Sequence, residues 1–148
     1  MNFTYFGTDF GCSFNLIIGL GVDIIEVERV RAVFERYGLK FVKKILGRRE
    51  NKYFSEMYNN HSLQSRELLI AFLAKRFAAK EAIGKALGIG MRKPMQFKSV
   101  DIVNTALGKP TTIFYEDLFF YLRQKDFKIH LSISDEKKFA HAVAIIEN

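Results

Sequence analysis

The stretch from about Ser65 to Leu87, ended by Gly88 and Gly90, reads as one long helix and constrains everything that can be built around it. Counted at about 100° per residue, Leu69, Leu73, Ile83 and Leu87 form its apolar arc, and Arg76 and Lys80 fall inside that same arc. A charge at a core position is costly unless it is paired or meets a ligand. Either both side chains run their long stems out to water, or the helix lines a site for an anion. Glu81 and Lys85 follow at i and i+4 on the edge of the arc, a pair worth only ~0.3–0.5 kcal/mol as an ordinary helix contact. Gly84 and Gly88, at the same spacing, strip side chains from the neighbouring face, so Glu81 and Lys85 flank a bare strip.

A second bare strip lies near the start of the chain. Leu16 to Val22 alternates as a strand, with Ile18, Leu20 and Val22 on one face and Ile17, Gly19, Gly21 and then Asp23 on the other. Glycines along one strand face let another backbone, or a ligand, approach closely. If the two strips meet, Asp23 and Glu81 could share a divalent ion with Lys85 beside it. Two carboxylates, water and ligand phosphate oxygens suit Mg²⁺. Asp23 has an alternative role, because Asp23 and Glu26 before an apolar run match a capping box for a helix from Ile24 to about Tyr37.

The rest of the first half is helical, with short helices over Leu39–Leu46 and Arg48–Tyr58 and a loop at Asn59–Ser62. The second half is strand-rich. Phe97–Asn104 and Thr111–Tyr115 surround the turn Leu107-Gly108-Lys109-Pro110, and Glu116–Lys125 is a short amphipathic helix. Phe127–Ser134 and Phe139–Ile146 alternate and flank a hairpin turn at Asp135–Lys138. A strand, then helices, then a meander of strands gives an α+β class.

Composition narrows the function. The chain has 148 residues and is 49% hydrophobic, which suits one domain over residues 16–148 and excludes a disordered chain. Met1–Asn15 lacks the pattern of a secretory signal and reads as an extension. The longest apolar run, Leu16 to Ile25, is interrupted by Gly19, Gly21 and Asp23 and is far short of the ~20 residues a bilayer span needs. Cys12 is the only cysteine, so no internal disulfide or Cys-based zinc cage is expected, and the implied compartment is the cytoplasm. The net charge is +7, and the segment Arg29–Arg49 alone carries that balance, with Glu35 its single acid. Such a patch is either a solvated face or the footprint of an anionic partner. A small basic RNA-binding module is the competing class, although no ribonucleoprotein or helix-turn-helix signature is present; a purely structural oligomer subunit is a third. Phosphate-loop, dinucleotide-binding and His-Glu-x-x-His motifs are absent from the sequence. His61, His130 and His141 are isolated, and by themselves none indicates a site.

Taken together, these residues resemble the holo-[acyl-carrier-protein] synthases, the small bacterial 4′-phosphopantetheinyl transferases. Ile18-Gly19-Leu20-Gly21-Val22-Asp23-Ile24 is similar to that family's opening strand with its metal-binding Asp. Arg76-Phe77-Ala78-Ala79-Lys80-Glu81-Ala82, with Lys85 and Ala86, is similar to its helix signature. Gly108-Lys109-Pro110 and His130-Leu131-Ser132-Ile133-Ser134 follow in the family's order, and the likeness spans about Leu16 to Glu147. Asp135 departs from it, since many relatives carry a second His there. The resemblance implies the phosphopantetheinyl transferase fold, a homotrimer, and Mg²⁺-dependent transfer of phosphopantetheine from coenzyme A to a serine of acyl carrier protein in fatty acid biosynthesis. It implies Asp23 and Glu81 as metal ligands and Glu81 and Lys85 as catalytic residues. Arg76, Lys85, Gly88, Gly108, Pro110 and His130 become coenzyme A contacts, and Arg29 and Arg36 the carrier-protein dock. No nucleic-acid or membrane partner is implied.

Overall fold

A computed structural model of the chain describes residues 16–59 and 63–148. The extension expected at 1–15 with Cys12, and His61 in the loop after Asn59, lie outside the described residues. The order of elements is β1 (Ile17–Glu26), α1 (Val27–Tyr37), α2 (Leu39–Ile45), α3 (Arg48–Tyr58), α4 (Leu63–Ala86), β2 (Val100–Asn104), β3 (Pro110–Phe114), α5 (Glu116–Gln124), β4 (Lys128–Asp135) and β5 (Phe139–Glu147). One antiparallel sheet runs β1-β5-β4, and β2-β3 form an antiparallel pair beside it. This is the α+β arrangement that the sequence predicts.

The long helix α4 lies across the sheet, and small residues let it come close. The inward face of β5 carries Ala140, Ala142, Ala144 and Ile146, all buried. The inward face of β1 carries Gly19 and Gly21, and a Cβ on either would collide with the α4 backbone at Ala86 or Ala82. The strand's bare strip is therefore filled by the helix. Gly84 does not meet it; a Cβ there would press on the backbone of Gly90, where the chain turns back over the helix end. Gly19, Gly21 and Gly84 thus serve backbone-to-backbone packing, and the first two bring Asp23 to α4.

Three boundaries differ from the sequence reading by about three residues or more. Strand β1 continues through Glu26 instead of ending near Val22, because its pairing with β5 runs on to Glu26 opposite Phe139. Asp23 thus sits inside the strand opposite Ala142, and α1 starts only at Val27, whose N–H donates to the Lys138 carbonyl over 2.9 Å. Its N-cap, Glu26, makes no side-chain cap bond, so the capping-box alternative for Asp23 falls away. Phe97–Ser99 forms a 3₁₀ turn, leaving β2 to begin at Val100.

Lys80 does not reach the surface. It is wholly buried, and its ammonium donates to Glu50 Oε2 (2.5 Å), the Ile45 carbonyl (2.8 Å) and the Phe97 carbonyl (2.7 Å). Glu50 also accepts from the N–H groups of Gly47 and Ile102, each at 3.0 Å. Burial pushes the Glu50 carboxyl up and the Lys80 amine down, and each partner's charge opposes that shift. The donor count decides for the ion pair, because only a charged ammonium has three hydrogens to give. Asp101 completes the cluster, accepting from Arg49 N–H and Tyr115 Oη at 2.8 Å each and capping α3 from a distant strand.

Removing one member of a buried pair leaves the other charge unpaired. Lys80→Met is therefore expected to lower unfolding free energy by about 3–5 kcal/mol, measured by urea denaturation. A loss below about 1 kcal/mol would show that the cluster is not the anchor described here.

Candidate active site

Two groups of polar side chains lie on different sides of α4. The first is formed by β1 and the C-terminal turns of the helix. Lys85 Nζ donates to Asp23 Oδ1 over 2.8 Å and to the Val22 carbonyl over 2.9 Å. Glu81, one turn earlier, has its carboxyl raised above the ordinary range, first by partial burial and then by the Asp23 charge, while Lys85 pulls it back. Two carboxylates that repel each other beside one ammonium are short of positive charge. Their hard oxygen donors suit a small divalent cation that keeps water or ligand oxygens in its other positions.

The second group lines a cleft of about 610 Å³ between α3, α4, the β2-β3 hairpin and the end of β4. Arg76, Gly108 and Pro110 meet there, along with Arg49, Lys75 and Asp135. Arg76 is only 8% exposed, and its guanidinium carbon lies 4.5 Å from the Phe72 ring centre. Its Nε is buried with no hydrogen-bond partner, 3.6 Å from Glu50 Oε1. Burial lowers the Arg76 pKa and the Glu50 charge opposes that. Glu50 is already matched by Lys80, so Arg76 is a cation without a counter-ion of its own, facing a cleft. Asp135 pairs with Lys75 at 3.1 Å across the rim.

The remaining predicted site residues fall elsewhere. Gly88 is exposed at the end of α4 with φ +72°, and its N–H donates to the Lys85 carbonyl; the left-handed turn accounts for glycine there. His130 lies on the outer face of β4, with Nε2 3.1 Å from Glu147 Oε1, and joins neither group. Arg29, with Lys40 and Lys44, lines an apolar groove of about 490 Å³ beside α1 and α2. Arg36 is exposed one heptad on, over the Tyr37 ring. Glu81 and Arg76 are five residues apart on α4, which sets them about 140° apart around its axis. Glu50 and Asp101 escape the sequence reading. The signal for them is Asp101 itself, an acid inside the apolar run Val100-Asp101-Ile102-Val103, answering the misplaced cations of α4.

The family model of the 4′-phosphopantetheinyl transferase superfamily matches residues 19–145. A holo-[acyl-carrier-protein] synthase of Cupriavidus metallidurans is 42% identical over 132 residues, covering 89% of this chain and 90% of that protein. Among solved structures, the synthase from Neisseria meningitidis superposes with a TM-score of 0.79 at 32% identity, covering 90% of this chain and 100% of that one. The Bacillus anthracis synthase, solved in complex with CoA (3′,5′-ADP), gives 0.71 at 33% identity, covering 89% of this chain and 97% of that one. The chain belongs to the 4′-phosphopantetheinyl transferase superfamily, among its holo-[acyl-carrier-protein] synthases, and is a transferase.

The raised Glu81 carboxyl has a measurable consequence. A carboxyl whose folded pKa lies above its unfolded value holds its proton longer in the fold. Its contribution to stability is therefore fully present below the unfolded value and is lost as pH rises through the folded one. In metal-free protein, Glu81→Gln is expected to remove that loss and to be more stable than the parent at neutral pH, measured by thermal melting across pH. If Asp23 and Glu81 hold Mg²⁺, adding it should then raise the melting temperature of the parent and leave the variant unmoved.

Proposed function

We propose that this chain transfers the 4′-phosphopantetheine group of coenzyme A to a serine hydroxyl of apo-acyl carrier protein, using Mg²⁺ and releasing adenosine 3′,5′-bisphosphate. The work serves fatty acid biosynthesis in the cytoplasm, and residues 16–148 act as one transferase domain behind the extension at 1–15. One observation carries the reading: Asp23 converges with the helix pair Glu81 and Lys85, distant from it in sequence, through a strand–helix contact that only glycines permit. No helix among the described residues is long and apolar enough to cross a membrane.

Phosphoryl transfer asks mainly for positioning and charge stabilisation. Asp23 and Glu81 would hold the Mg²⁺, which when bound draws charge from the pyrophosphate oxygens. Lys85 spends two N–H groups on Asp23 and the Val22 carbonyl and keeps a third for an oxygen of the transferring phosphate. The nucleophile arrives on the carrier protein, so the chain needs no Ser–His or Cys–His pair of its own. Arg76, Gly108 and Pro110 serve the nucleotide part of coenzyme A, in keeping with the CoA (3′,5′-ADP) of the Bacillus anthracis relative. Gly88 contributes by ending α4 beside Lys85. Arg29 and Arg36 form an exposed basic face suited to an acidic carrier protein, where charge mainly tunes association rate and salt dependence.

The assembly proposed is a homotrimer with sites shared between subunits. Two observations support it. The metal group and the Arg76 cleft point apart around α4, which suits a ligand that meets the metal group of one copy and the cleft of another. The outer sheet face is apolar and uncovered, with Leu20 64% and Ile24 61% exposed beside Ile18 and Val22. His130 lies on that same face, compatible with a contact made across the interface.

Incubated with coenzyme A, Mg²⁺ and apo-carrier protein, the enzyme should raise the carrier's intact mass by ~340 Da, one phosphopantetheine. Asp23→Asn should abolish the shift while leaving the melting transition cooperative. An RNA-binding module gives no mass change at all.

Light scattering should return about three times the 17.1 kDa chain mass. Mixed trimers of inactive Glu81→Gln and inactive Arg76→Ala subunits should recover activity, since some interfaces then carry an intact site. Verified mixed trimers without recovery would place both groups' work within one chain.

A further inference from the structure

The buried cluster under the Arg76 cleft does more than hold elements together. Arg76 is the exception in it. Asp101 caps α3, and Lys80 uses all three donors on Glu50 and two carbonyls. Arg76 gives no hydrogen bond to any described residue, although its side chain is only 9% exposed. Of the five donors in the guanidinium plane only Nε–H is buried and unused, a cost in a low-dielectric wall, and the Nη donors stay free for a ligand in the cleft.

Two contacts fix that plane. The Phe72 ring sits 4.5 Å from Cζ and covers one side. Glu50 Oε1 stands 3.6 Å from Nε, beyond a hydrogen bond and within reach of charge attraction. Oε1 has little freedom, because Ile102 N–H holds it at 3.0 Å while Lys80 and Gly47 N–H hold Oε2 at 2.5 and 3.0 Å. Glu50 is thus a carboxylate pinned by three donors from three parts of the chain, with one oxygen set against the only buried side-chain nitrogen without a partner among the described residues.

We propose that Glu50 is a positioning residue for coenzyme A, fixing the Arg76 guanidinium so that its free donors face the nucleotide's phosphates. This rests on the reading of the cleft given above. Lys80 has an indirect share: it neutralises Glu50 in the ground state, so the Arg76 charge stays available to the ligand instead of being consumed by the acid behind it. Glu50 itself touches no substrate.

The test is a double-mutant cycle read on both substrates. Glu50→Gln is expected to raise KM for coenzyme A about tenfold with kcat changed less than about twofold and KM for carrier protein unchanged. In an Arg76→Ala background, where binding is followed by calorimetry instead of turnover, the same substitution should change the dissociation constant for coenzyme A by less than about twofold, because the group it positions is gone. An equal effect in both backgrounds, or equal losses for the two substrates, would overturn the positioning role and leave Glu50 a structural residue. If Arg76→Ala leaves the binding of coenzyme A intact by calorimetry, the cleft reading itself fails and this inference with it. Should Glu50→Gln lose its cooperative melt, Glu50→Gln/Lys80→Met removes both charges together and carries the same measurements.

Discussion

The contact between the glycine face of β1 and the backbone of α4 is the constraint on which the site depends. At Gly19 and Gly21 the strand lies so close to Ala86 and Ala82 that no side chain fits between them. That approach places Asp23, two residues on, within hydrogen-bond reach of Lys85 and in the field of Glu81. The alanines of β5 at 140, 142 and 144 continue the same thin layer, so the helix beds evenly on two strands. The proposed catalytic group, one strand residue and two helix residues, needs that separation held constant, since displacing reacting groups by about 1 Å can cost about a hundredfold in rate.

Behind the helix, the opposite strategy is used. Glu50, Lys80, Asp101 and Arg76 are all buried, and three of them satisfy one another or nearby backbone. The cluster ties α3 to α4 and β2, and it leaves one cation turned towards the cleft. Fold and site share atoms here: the carboxylate that anchors Lys80 also stands against Arg76. Desolvation makes each charge costly alone, which forces the set to be complete before any part of it is stable.

Much of this was legible in the chain. The long helix, both hairpins and the α+β order follow from periodicity and turn residues, and the glycine strips pointed to Asp23, Glu81 and Lys85 as neighbours. The reason differed, since Gly19, Gly21 and Gly84 pack on backbone rather than frame an open slot, and Gly88 only ends the helix. The end of β1 was misread because Asp23 and Glu26 imitate a helix cap, and only pairing with β5, more than a hundred residues later, decides against it. Arg76 and Lys80 announced a problem at core positions, but their charged partner, Glu50, comes from α3, an exposed-looking helix with no local mark of that pairing, and only Asp101 in its apolar run hinted at a buried cluster. His130 could be placed on a strand by alternation; which side faced out depended on how the sheet met α4.

If transfer depends on the close approach of β1 to α4, Gly21→Ala should report it. The added methyl must push the strand away from the Ala82 carbonyl, moving Asp23 from Lys85 and Glu81 without changing any site residue. The variant should still melt cooperatively, yet lose about a hundredfold in kcat for transfer to the carrier protein, together with the gain in melting temperature expected on adding Mg²⁺. A folded Gly21→Ala protein with the parent's kcat and the parent's response to Mg²⁺ would contradict the account.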